Sequence, residues 1–249
     1  MLAGPTIAKL QAIGCSAMAA ALSDQLATPG PWSDLAFEDR LGLLVEREVD
    51  ARDSRALARR LKAAKLRHAA CVEDLDFRAP RGLDRSVVAH LANSSWVANS
   101  HNVIVTGPTG VGKSYLACAL AHAAIRAGHS ACYLRAPRLV EDLAIGRADG
   151  RYARTLAGLA RVSLLVIDDF LLTPAPVDAC RDLLEVIEDR AGRRSTLVAS
   201  QLPLENWHAA MADPTLGEAV LDRVLAASHR IAMKGPSMRR RQPEPPPEP

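Results

Sequence analysis

Aromatic residues make up only 4% of the 249 positions, so stacked rings cannot build the core. Leu, Val, Ile and abundant Ala must fill it, which fits long β-sandwiches poorly. No stretch approaches the roughly 18–20 apolar residues that a membrane-spanning helix needs, so no membrane association is expected. The five cysteines (15, 71, 118, 132 and 180) are odd in number, and none stands in C-x-x-C spacing. That argues for reduced thiols in the cytoplasm rather than a disulfide frame or a zinc site. Charge of one sign is missing too: Lys+Arg 31 against Asp+Glu 28 leaves +3, so any basic signal must be local. The alanine-rich stretch Ile7–Leu26 lacks a basic leader region, and Lys9, Gln11 and Ser16 interrupt it. Its apolar residues recur at helical spacing, which predicts a short amphipathic helix in a cytoplasmic protein.

Helical texture fills the first part of the chain. Thr28-Pro29-Gly30-Pro31 breaks it, and Ser33 is the expected cap of a helix carrying Leu35, Leu41, Leu44, Val45 and Val49. A very basic helix is expected from Arg52 to Ala70, then an extended connector through Phe77, Pro80 and Gly82. From Asp84 onward five strand-like segments alternate with helical ones: Val103–Thr106, Ala131–Arg135, Leu164–Ile167, Thr196–Ala199 and His229–Met233. This is the rhythm of an α/β fold with a parallel sheet covered on both faces. The expected organisation is a helical N-terminal domain (1–76), a connector (77–85), an α/β core (86–235) and a disordered basic, proline-rich tail (236–249).

Gly107-Pro108-Thr109-Gly110-Val111-Gly112-Lys113-Ser114, followed by Tyr115, has the form G-x-x-x-x-G-K-S between a strand and a helix. Glycines let the backbone turn its N–H groups inward as an anion nest, and the helix N-terminus adds its positive dipole end. Lys113 is expected to reach the β- and γ-phosphates of a nucleotide, and the Ser114 hydroxyl to ligate Mg²⁺. A nest alone does not choose a reaction. Leu164-Leu165-Val166-Ile167-Asp168-Asp169 adds a buried strand with two carboxylates at its carboxyl end, where open α/β sheets bind ligands. Asp168 is the expected Mg²⁺ partner and Asp169 the group that orients and deprotonates a water; the bland alternative is a solvent-facing turn. GTPases read guanine with Asn/Thr-Lys-x-Asp. None of Lys9, Lys62, Lys65, Lys113 and Lys234 has Asp two positions later, so ATP is preferred.

Arg52, Arg55, Arg59 and Lys62 share one face of a helix, and Arg60, Lys65 and Arg67 widen the patch. Like charges at these spacings repel by a few tenths of a kcal/mol per pair, and a phosphate backbone would neutralise them. Without aromatic interleaving or a reading helix, contact with double-stranded DNA should be sequence-nonspecific and salt-sensitive. The alternatives are a solvated arginine face or pairing with the acidic Glu46-Glu48-Asp50-Asp53 segment.

Phe77–Arg85, Gly107–Leu116, Asp168-Asp169, Ser200-Gln201-Leu202-Pro203, Asp213-Pro214-Thr215, Asp222-Arg223 and Gly235–Arg239 together resemble the IstB-like proteins. These are ATP-binding accessory proteins of insertion-sequence transposases, similar to DnaC-type helicase loaders among the AAA+ ATPases. The resemblance spans roughly Ala70 to Arg241. It implies a three-layer AAA+ P-loop core with five parallel strands in the order 5-1-4-3-2, ATP hydrolysis, and ATP- and DNA-dependent self-association into a ring or helical filament. It also implies a partner transposase. By motif it makes Gln201 the sensor-1 residue, where many relatives carry Asn, Arg223 a finger for a neighbouring subunit, and Arg239 the sensor-2 residue that touches nucleotide. Arg223, expected in a helix over Leu216–Ala227, has no carboxylate at i±3 or i±4. Too little chain follows the last strand for the helical lid that many AAA+ proteins carry. A replicative-helicase loader and a nucleotide-gated DNA scaffold with negligible turnover are the competing readings. The Phe77–Arg85 stretch is the expected wall for the adenine.

Overall fold

The computed structural model describes residues 3–238, which divide into two compact units, with the division falling between Arg59 and Arg60. The first unit carries α1 (Ala3–Ala12), α2 (Ser16–Ala27) and most of α3 (Phe37–Ala64). The single helix expected over Ile7–Leu26 is two, because Gly14 turns left-handed at φ 81°. Ser33 caps no helix start. Its Oγ donates to the Gly30 carbonyl (2.8 Å), closing a short turn, and α3 begins four residues later. The two helices expected on either side of Asp50 are one, since no Gly or Pro separates Val49 from Arg52. It stops at Ala64 rather than Ala70, where Lys65 adopts φ 51°.

This unit buries few apolar side chains, notably Ala19 and Leu44; Leu35, Leu41, Val45 and Val49 are exposed rather than facing a core. Its organising group is polar. Glu48 is buried, and its Oε2 accepts the N–H groups of Ala17 (2.9 Å) and Met18 (3.1 Å) in the first turn of α2. A carboxylate from another helix thus fills orphan donors that Ser16 leaves open. The hydrogen bond from Arg52, then that from the Met18 amide, holds the Glu48 carboxyl below its ordinary range.

The second unit contains α4 (Arg85–Ala92), α5 (Ser95–Ala98), β1 (Asn102–Thr106), α6 (Lys113–Arg126), β2 (Ala131–Arg135), α7 (Ala136–Asp149) and α8 (Tyr152–Arg161). β3 (Leu164–Asp168), α9 (Val177–Glu188), β4 (Ser195–Ser200), α10 (Pro214–Leu225) and β5 (Ser228–Ala232) complete it. Residues 71–73, expected with the N-terminal helices, pack here: Cys71 Sγ lies 3.7 Å from His122 Nδ1, and Glu73 pairs with Arg126 at 2.6 Å. Both partners are on α6.

The sheet runs β2-β3-β4-β1-β5, every pairing parallel, which read from the other edge is the expected 5-1-4-3-2. The fully buried β3 and β4 lie inside, while the edge strands β2 and β5 bury only part of their length. Ile104, Leu165, Ile167 and Val198 meet α7, α8, α9 and α10 on one face; α6 and α4 cover the other. Four alanines of α6 (Ala117, Ala119, Ala121, Ala124) are fully buried, small enough to let the helix lie close to the sheet. The expected Asp-Pro-Thr motif is a helix start: Asp213 Oδ1 accepts from Thr215 N (2.9 Å) and Leu216 N (3.0 Å), so α10 begins at Pro214 and ends at Leu225. No helix follows β5 among the described residues. Pro236–Met238, expected in the disordered tail, are ordered against the phosphate loop, while Arg239 and residues 240–249 lie outside the described residues. Among the described residues no helix is long and apolar enough to cross a membrane.

One buried cation locks the end of the sheet away from the phosphate loop. Arg190 is 1% exposed and donates to the carbonyls of Leu159 (2.5 Å), Val162 (2.9 Å) and Ser195 and to Thr196 Oγ1 (3.1 Å). Burial pulls its pKa down to about 10, yet it stays charged at neutral pH. Replacing Arg190 with Met strands several buried carbonyls and should lower the unfolding free energy by about 2–4 kcal/mol. The urea midpoint reads this; an unshifted midpoint would contradict the role.

Candidate functional site

The phosphate loop leaves β1 and enters α6 through three left-handed glycines: Gly107 (φ 147°), Gly110 (φ 83°) and Gly112 (φ 107°). Each faces a close neighbour. A Cβ on Gly107 would stand 2.4 Å from the Met233 carbonyl oxygen, one on Gly110 2.1 Å from Ser237 Oγ, and one on Gly112 2.6 Å from an Arg81 Nη1. Met233 N donates to Thr106 O (2.8 Å) and Met238 N to Gly110 O (2.9 Å), so the segment after β5 lies along the loop. Beside it opens a cavity of about 490 Å³ lined by Thr109, Gly110, Gly112, Lys113, Ser114, Tyr115, Gln201 and Asp169. Lys113 Nζ donates to the carbonyls of Gly107 (2.7 Å) and Pro108 (2.9 Å), which curls the loop around its own cation. Thr109 Oγ1 donates to Gln201 Oε1 (2.5 Å), joining the loop to the end of β4.

At the end of β3 the two carboxylates differ. Asp168 is 1% exposed. One oxygen accepts from the Tyr133 hydroxyl and the other from Asp169 N (2.9 Å). Burial, then the bond to Asp168, pushes the Tyr133 hydroxyl far above the ordinary phenol range, so it remains a donor. Asp169 lines the cavity, paired with Arg135 Nε at 2.7 Å and with Arg67 at 3.9 Å. Its backbone is left-handed (φ 54°), as is that of Leu171 (φ 52°). Between them Phe170 is buried against Trp207, ring centroids 4.9 Å apart, and its N–H bonds to Ala199 O (2.9 Å). The aromatic anchor holds the strained turn that presents Asp169.

Arg223 lies on α10 outside this cavity. Its Nε is ion-paired with Glu188 of α9, and Nη1 donates to Ala219 O (2.9 Å). Asn102 Nδ2 fixes that end of α10 by donating to the carbonyls of Arg223 (3.2 Å) and Val224 (3.1 Å). In the basic stretch, Arg52 Nε and Arg55 Nη2 share Glu48 (2.8 and 3.2 Å), the pairing with the acidic segment that was the alternative reading. Arg59, Arg60 and Lys62 remain on α3, but Lys65 and Arg67 lie beyond its end, and Arg67 lines the cavity. Phe77 does not line the cavity; it lies under Arg85, whose guanidinium carbon is 5.6 Å from the ring centroid.

Three residues at the site, Arg81, Tyr133 and Arg135, and Glu188 beside Arg223 were not singled out from sequence. Only Arg81 carried a signal, through the Phe77–Arg85 stretch. The left-handed glycines, the loop amides, Lys113 and Ser114 suit a triphosphate chain, and the oxygens of Ser114 and Asp168 suit a hard divalent cation.

A family model described as IstB-like ATP binding protein matches residues 8–244. An insertion-sequence ATP-binding protein of Sinorhizobium fredii is 48% identical over 242 residues, covering 97% of this chain and 98% of that protein. Among solved structures, DnaI is similar with a TM-score of 0.58 at 18% identity, covering 66% of this chain and 91% of that one. The DnaC helicase loader is similar with a TM-score of 0.52 at 20% identity, covering 66% and 97%.

The steric reading of the loop is open to test. Gly107→Ala puts a Cβ against Met233 at a strained φ and should cost about 2–4 kcal/mol, lowering Tm by several degrees. Gly128→Ala, also left-handed but with nothing within 4 Å, should cost only about 1 kcal/mol. Equal melting temperatures for the two variants would contradict the contact.

Proposed function

The chain belongs to the IstB-like ATP-binding proteins, and from that membership and the site's geometry we propose that it is a Mg²⁺-dependent ATPase that assembles on duplex DNA and hands that DNA to a partner transposase. The observation that carries the reading is the convergence of Lys113, Ser114, Asp169 and Gln201 on one cavity at the carboxyl ends of the strands.

The chemistry follows from what each group can do. Gly107 to Tyr115 wrap the triphosphate with main-chain N–H groups, and Lys113 exchanges its two loop carbonyls for phosphate oxygens. Ser114 and Asp168 would hold Mg²⁺, which would supply charge neutralisation on the phosphates. Tyr133 and the Asp169 amide keep Asp168 oriented from behind. Asp169 takes a proton from the attacking water, and the Gln201 amide orients that water, so ATP and water give ADP and phosphate. In one subunit Asp169 is held by Arg135, and the finger candidate Arg223 by Glu188. Turnover therefore waits on a neighbour whose Arg223 reaches the γ-phosphate. This supports an assembly-dependent ATPase over a scaffold without turnover, while the helicase-loader alternative draws only on the shared fold. DNA is contacted by Arg52, Arg55, Arg59, Arg60 and Lys62, with Lys65 and Arg67 beyond the helix end; Arg239, which directly follows Met238 in the sequence, is the remaining proposed nucleotide contact.

Lys113→Ala should abolish ATP binding by calorimetry; retained affinity would refute the role of the loop. Arg223→Ala should bind ATP normally but hydrolyse it about 10³-fold slower. Mixing it with Lys113→Ala subunits should restore turnover, because each variant supplies what the other lacks. No recovery on mixing would refute a finger acting between subunits.

Neutralising Arg55, Arg59 and Lys62 together should lower the slope of log affinity for duplex DNA against log salt by about 2–3. An unchanged slope would return the stripe to a solvated arginine face.

A further inference from the structure

Arg81 is a buried cation with no ion-pair partner among the described residues. It is 5% exposed, lies in the connector between the two aspartates Asp76 and Asp84, and lines the same cavity as the phosphate loop. Its Nη1 donates to Val111 O (3.2 Å) and its Nη2 to Asp76 O (2.7 Å), both neutral carbonyls. Its Nε is the one buried side-chain nitrogen or oxygen left without a hydrogen-bond partner among the described residues. No carboxylate among them forms an ion pair with it, although Asp74 and Asp76 line the cavity. Buried arginines are rarely left this way, because desolvating a guanidinium is costly unless a paired anion offsets it. Arg190 meets that cost with a full set of acceptors in a site closed to ligand; Arg81 has two acceptors and an open cavity.

Resting on the nucleotide reading above, we infer that Arg81 is a nucleotide-binding residue whose missing counter-charge is the phosphate chain of the nucleotide. The position favours the portion that ATP and ADP share. Arg81 is held to Val111 and lies against Gly112, at the helix end of the loop, whereas the Thr109–Gln201 bond marks the opposite end. The same guanidinium links the loop to the connector through Asp76, and its own carbonyl accepts Lys234 N (2.8 Å) from the segment after β5. Phosphate binding at Arg81 therefore couples three segments that lie far apart in the sequence.

Calorimetry with MgATP and with ADP on wild type, Arg81→Gln and Arg81→Lys, beside melting curves without nucleotide, tests this. Arg81→Gln should weaken both nucleotides about 10- to 100-fold, the effect of losing a charge-assisted contact. Arg81→Lys, which keeps the charge but not the planar fork, should recover most of that loss. Affinity of Arg81→Gln within twofold of wild type would overturn the inference. So would equal weakening in the Gln and Lys variants together with a lowered ligand-free Tm, the signature of a structural clamp. Failure of wild type to bind either nucleotide would instead defeat the reading of the site itself.

Discussion

The absence of a side chain at Gly107, Gly110 and Gly112 is the constraint on which the rest of the second unit rests. Each is left-handed, and each has another segment where a Cβ would be. Because the loop is bare, Met233 and Ser237 can lie against it on one side and Arg81 on another. The strands then need only deliver their carboxyl ends to the same place. β1 supplies the loop, β3 the aspartates and β4 Gln201, while β5, paired to β1 along its length, returns the chain across the loop. Sheet order becomes a consequence of the site: β1 has to be flanked by β4 and β5 for Gln201 and Met233 to reach it.

What could be read from the residues had a local cause. The glycine-lysine-serine run, the buried apolar strands and the Asp-Pro-Thr helix start all act within a few positions, and the family resemblance supplied the strand order. Element ends failed where the cause was tertiary or subtle. Helix α3 shows no break at Asp50, yet ends at Lys65 without a Gly or Pro to mark it. Leu41, Val45 and Val49 recur at helical spacing, yet they are exposed, and nothing local in the sequence marks that. Partners separated by many residues stayed invisible: Glu48 capping α2, Glu188 holding Arg223, and Tyr133 behind Asp168. The i±3 and i±4 neighbours of Arg223 correctly lack a carboxylate, but α9 supplies one across the helix pair. The connector was expected to wall the adenine; of residues 77–85, Arg81 lines the cavity and Phe77 does not.

The first unit follows a different logic from the second. With few buried apolar residues it leans on Glu48, whose two oxygens collect two amides of α2 and the guanidinium groups of Arg52 and Arg55. Part of the positive charge of α3 is therefore balanced by Glu48, while Arg59, Arg60 and Lys62 make no ion pair among the described residues. Because those side chains stand on a helix, a DNA backbone would feel a rigid row of charges rather than a flexible tail.

Both groups proposed to finish hydrolysis, Asp169 and Arg223, rest in ion pairs with half-exposed partners, Arg135 and Glu188. Pairs of that kind are worth about 0–1 kcal/mol, since solvent screens them and long side chains must be ordered to form them. An arginine finger on a γ-phosphate accelerates transfer by about 10³–10⁵, equivalent to about 4–7 kcal/mol of transition-state stabilisation. The resting pairs are therefore weak enough to exchange once a neighbour docks. A stronger latch, such as a fully buried pair, would resist exchange and slow every cycle; no latch would leave hydrolysis uncoupled from assembly. The exposure of Arg135 and Glu188 places both pairs in the range where docking decides.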